Sequence, residues 1–85
     1  MPTDEFQQAV ERGRAKLMLR LPALRSELSQ TRKPWLDELC EAYEVATAAL
    51  EKFRHSNHEN DRALIPEYET FCAEIEADVQ NDLQR

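Results

Sequence analysis

Glycine occurs once in this chain, at position 13, isoleucine twice and valine three times. With so few β-branched residues there is no run to seed a strand. No Asn-Gly or Asp-Gly pair marks a tight hairpin. No stretch approaches the roughly 18 apolar residues of a membrane-spanning helix, so no membrane association is expected. The opening Met-Pro-Thr-Asp-Glu is acidic with no apolar segment behind it, and a signal peptide is not expected. Cysteine stands only at positions 40 and 72. Two thiols make no disulfide framework, and each falls among apolar residues at helical spacing. Both are therefore expected to be reduced core residues of a cytoplasmic protein.

Catalytic constellations are scarce as well. Ser26, Ser29 and Ser56 lie in hydrophilic surroundings, and no glycine-rich loop is present to cradle a phosphate. Most carboxylates fall on expected solvent-facing helix surfaces, not in apolar pockets where a proton affinity could be raised. His55 and His58, with Glu59 and Asp61 nearby, read as a solvated loop, because structural zinc needs four ordered ligands at recognisable spacing. No enzyme activity, cofactor or metal is expected.

What is abundant is helix-forming: Glu, Ala, Leu, Gln and Arg. The 85 residues make one domain, 1–85, and a chain this short buries only roughly 60–65% of its unfolded surface. Thr3 is expected to cap a first helix, with Asp4 and Glu5 in the first turn where the helix dipole favours acids. Phe6, Val10, Gly13, Leu17, Leu21, Leu24 and Leu28 then recur at helical spacing along one face. Pro22 interrupts that face and predicts a kink or break near 20–21. Residues 30–33 form a polar connection, and Pro34 suits the first turn of the next helix.

That helix carries the clearest pattern in the chain: Leu36, Leu39, Tyr43, Ala46, Leu50 and Phe53 form a heptad seam. Its flanks, Trp35, Cys40, Ala42, Thr47 and Ala49, are apolar, small or uncharged, which predicts neighbours on more than one side. Asp37, Glu41, Glu44 and Glu51 are expected on the opposite, solvent side. A loop is expected over 55–61, then a short turn over 62–65 capped by Asp61. Pro66 opens a last helix with the stripe Tyr68, Phe71, Cys72, Ile75, Val79 and Leu83. The fold class is all-α: a small three- or four-helix bundle, its first helix kinked or broken near Pro22.

The net charge of −6 is unevenly spread. Residues 1–33 hold seven bases and four acids, whereas residues 34–85 hold four bases and thirteen acids. An acidic chain is a poor direct binder of nucleic acid. The basic stripe Arg12, Lys16 and Arg20 is expected to pair with the chain's own acids or with a second copy. On the last helix Glu67, Glu74, Asp78 and Asp82 share one face, without a base before Arg85. Like charges at this spacing mildly destabilise a helix. The candidate protein-binding residues are therefore Glu67, Tyr68, Phe71, Glu74, Asp78 and Asp82, with the two aromatics as anchors.

The opening Pro2-Thr3-Asp4-Glu5-Phe6-Gln7-Gln8-Ala9-Val10, the acidic close Glu74-Ile75-Glu76-Ala77-Asp78-Val79, the length and the near-absence of glycine together resemble the small rhizobial QseM-type antiactivators of quorum-sensing-controlled gene transfer. The resemblance implies sequestration of a LuxR-type or other transcriptional activator, and it assigns no functional residue. The expected function is a small acidic non-enzymatic regulator that binds and inhibits another protein, most readily a transcriptional activator. A self-associating scaffold or adaptor, including a homodimer, is one alternative. A nucleic-acid mimic that blocks a DNA-binding protein is the other.

Overall fold

In the computed structural model, which describes residues 4–84, helix α1 runs Glu5–Arg20 with Asp4 at its N-cap position. Thr3, the expected cap, lies outside the described residues. Leu21 leaves helical geometry (φ −123°, ψ 68°), because a residue ahead of proline is pushed out of the α region. Pro22–Leu24 then forms a 3-10 turn, and α2 occupies Arg25–Gln30. The chain thus breaks at Pro22, but its apolar stripe does not: Val10, Leu17, Leu24 and Leu28 are all buried.

Arg14 holds the folded-back α2 in place. Its guanidinium is buried and donates to the carbonyls of Leu28 and Thr31, the latter at 2.9 Å, and to Asp37 Oδ1 at 2.8 Å. These three bonds offset much of the cost of burying the charge, while Nε finds no hydrogen-bond partner and lies 4.0 Å from Glu11 Oε1.

Helix α3, Pro34–Arg54, is central, with α1 against one side and a last helix against the other. Pro34 sits in its first turn, and the Lys33 carbonyl accepts from Leu36 and Asp37 N–H. Leu36, Cys40, Tyr43, Ala46 and Leu50 are buried, while Leu39 and Phe53 are partly so. A Cβ at Gly13 would collide with the Cys40 carbonyl, so the lone glycine marks where the backbones of α1 and α3 meet. Asp37 and Glu44 do not face solvent as expected. They are half-buried, because α1 covers that flank and brings its bases to them.

The expected 55–61 loop is shorter than foreseen. His58 precedes a short helix α4, Glu59–Ala63, so Asp61 does not cap a later turn but lies within the first turn of α4. Ser56 fixes this arrangement: its hydroxyl donates to Asp61 Oδ2 at 2.8 Å and accepts from His58 N–H at 3.1 Å. Helix α5, Ile65–Leu83, follows with Pro66 in its first turn. It runs antiparallel to α3, since Tyr43 meets Glu76 while Arg54 meets Glu69. Only Cys72 and Val79 of α5 are buried. Both cysteines are free and buried, and burial pushes the Cys40 thiol up to about 11.

The described residues are helical without a strand, and no helix among them is long and apolar enough to cross a membrane. The molecule is flat, 40 × 34 × 18 Å. Its radius of gyration is 13.6 Å, against about 12 Å for a compact chain of this length. Its accessible surface, 5748 Å², also exceeds the roughly 5200 Å² expected of a monomer of this mass.

Candidate interaction surface

The two flanks of α3 treat charge differently. On the α1 side, Glu44 receives Arg12 Nε at 3.0 Å and Lys16 Nζ at 2.8 Å, and Lys16 also donates to Thr47 Oγ1 at 2.8 Å. Burial alone would raise the Glu44 carboxyl, but the hydrogen bonds and charge of Lys16 and Arg12 outweigh it and hold the carboxyl below its usual value. Nearby, the Tyr43 hydroxyl donates to Glu76 Oε2 at 2.6 Å, and Arg20 Nε approaches the same oxygen at 3.3 Å. Burial, then the hydrogen bond to Glu76, raises the Tyr43 phenol above its ordinary value. The stripe Arg12, Lys16 and Arg20 therefore pairs within the chain. A polar hollow beside this network, about 380 Å³, holds Arg20, Arg54, Glu69, Cys72 and Glu76. Its arginines are already bound to its acids, Arg54 to Glu69 at 3.0 Å.

On the far side α3 and α5 leave an open groove of about 460 Å³ between them. Helix α3 contributes Glu41, Ala42, Val45 and Ala46, and α5 contributes Tyr68, Phe71, Glu74, Ile75 and Asp78. Val45 is 54% exposed and Phe71 41%, both large values for apolar side chains. Tyr68 stands edge-on between Phe53 and Phe71, with ring centroids 5.1 and 5.2 Å away, and so props up one wall. Glu41, Glu74 and Asp78 edge the groove, and among the described residues no base pairs with any of them.

Of the six residues singled out in the sequence, Tyr68, Phe71, Glu74 and Asp78 come together here. Glu67 and Asp82 are exposed on α5 but do not line the groove. The α3 wall was missed. Its signal was the small flank of the heptad seam, with Val45 as the one large apolar residue off the stripe beyond Trp35 in the first turn. Among the described residues no serine, histidine or cysteine lines the groove, and no group of three potential ligands could hold a metal ion. His55 and His58 are exposed on either side of Ser56. The groove therefore offers apolar contact and negative charge. Compared with protein-family models, with curated proteins and with solved structures, the chain matches none.

Proposed function

We propose that this chain is a small acidic, non-enzymatic regulator that binds and inhibits another protein, a transcriptional activator, through the α3–α5 groove. The observation that carries the reading is an exposed apolar groove edged by carboxylates that no base neutralises, while the acids facing α1 are matched. Exposed apolar surface with a polar rim is the usual composition of a protein-binding site. The large accessible surface supports the same reading, since a partner would complete the burial that the fold leaves undone. Transcriptional activators carry basic surfaces for DNA, and an acidic rim suits such a target. The likeness to the QseM-type antiactivators points to a LuxR-type activator among them. The two buried thiols suit a reducing, cytoplasmic setting.

The test immobilises the full chain and captures proteins from its native host, with a Glu74→Lys, Asp78→Lys variant in parallel. A transcriptional activator should be retained by the parent and lost by the variant, and co-expression should silence a reporter driven by that activator. Retention of further copies of the chain alone would replace the regulator by a self-associating scaffold.

A further inference from the structure

We propose that the occupant of the α3–α5 groove is a single amphipathic helix of another protein, with an apolar stripe flanked on both sides by Lys and Arg. This rests on the protein-binding reading above and specifies its partner. Dimensions come first. From Tyr68 to Asp78 the α5 wall advances about 15 Å, nearly three turns of helix, long enough to seat apolar anchors at i, i+4 and i+7, which span about 10 Å. The floor is Ala42 and Ala46, small enough for a third helix to approach closely, and Val45 and Phe71 stand as walls. A helix laid there would turn the α3–α5 pair into a three-helix layer.

Charge then selects the sequence of that helix. Glu41 lies on the α3 rim, while Glu74 and Asp78, one turn apart, lie on the α5 rim. Because the two helices are antiparallel and Tyr43 meets Glu76, Glu41 and Asp78 fall at the same end of the groove. Tyr68 and Phe71 occupy the other end. The occupant thus meets carboxylates on both sides of its apolar ridge.

A second copy of this chain does not fit. The bases of α1, with Arg32 and Arg54, are already bound to the chain's own carboxylates. The remaining bases among the described residues, Arg25, Lys33, Lys52 and Arg62, are scattered over separate segments and do not form two rows on one helix.

The test titrates the full chain with a synthetic helical peptide of about 14 residues, three to four turns, bearing Leu at i, i+4 and i+7 and Lys or Arg on both flanks. One control peptide replaces the bases by Glu, and a second replaces the leucines by Ser. Amide shifts should concentrate at Val45, Phe71 and Ile75, and neither control should compete. Phe71→Ala should weaken binding about tenfold or more with the melting temperature nearly unchanged. Glu74→Lys, Asp78→Lys should weaken it comparably at low salt and less at high salt. Shifts mapping outside the groove, a control that binds equally well, or self-association that buries Phe71 would overturn the proposal. The two readings fail separately. An activator captured from the host without peptide binding removes the helix-receptor inference alone. Peptide binding with no captured regulator removes the regulator reading alone.

Discussion

Helix α3 has two flanks, and they were finished to different degrees. Against α1 the backbones touch at Gly13, Val10, Leu17 and Leu36 are fully buried, and Glu44 and Asp37 each meet a base. Against α5 burial is thinner: Cys72 and Val79 alone on α5 are buried, and Val45, Phe71 and three carboxylates are left at an open edge. The same helix can do both because a 3.6-residue repeat gives it several faces, and its two neighbours cover those faces unequally. One seam therefore holds the fold, and the other is available for recognition.

Truncation should expose this difference most strongly. Leu17→Ala or Leu36→Ala, both at fully buried positions, should cost about 2–5 kcal/mol. That is a large part of the roughly 4–12 kcal/mol available to a chain of this size. Denaturant midpoints at constant slope measure the loss, and a Leu36→Ala protein as stable as the parent would put the main seam elsewhere.

Acid titration should separate the flanks at smaller amplitude. The folded Glu44 carboxyl lies below its ordinary value of 4.5, so folding is favoured while it is ionised. That contribution is present above about pH 4.5 and is lost as the pH falls through the depressed folded value. Glu44→Gln should therefore be less stable at neutral pH and lose less on acidification. Melting temperatures of both proteins across the acid limb provide the check, and parallel curves would remove Glu44 from the seam's energetics.

The smallest effect belongs to the open side. Glu74→Gln with Asp78→Asn should leave stability within a few tenths of a kcal/mol, or raise it slightly by relieving i, i+4 repulsion. Any loss approaching that of Glu44→Gln would mean that these carboxylates serve the fold.

Much of the closed seam was legible in the residues, and one wall of the open one. The heptad from Leu36 to Leu50 and the Pro22 break were readable because periodicity and proline geometry act locally. Arg14 was not, although it falls in register between Val10 and Leu17. A charged residue on an apolar stripe becomes intelligible only once α2 folds back and presents the Leu28 and Thr31 carbonyls. The start of α4 depended on a Ser56–Asp61 hydrogen bond that no periodicity encodes. For the groove, charge patterning exposed the α5 wall, whereas Glu41 and Val45 needed the antiparallel register that places them opposite α5.

The prolines carry a consequence that lies outside the folded state. Pro22, Pro34 and Pro66 each stand in the opening turn of a helix, where a missing N–H costs no intrahelical bond and the ring's φ is already the one required. Placed there, a proline acts mainly by restricting the denatured ensemble, worth about 0.4–1 kcal/mol at a compatible site. A chain with one firm seam thereby gains stability without further contacts: even when unfolded, it has fewer places at which its helices can begin.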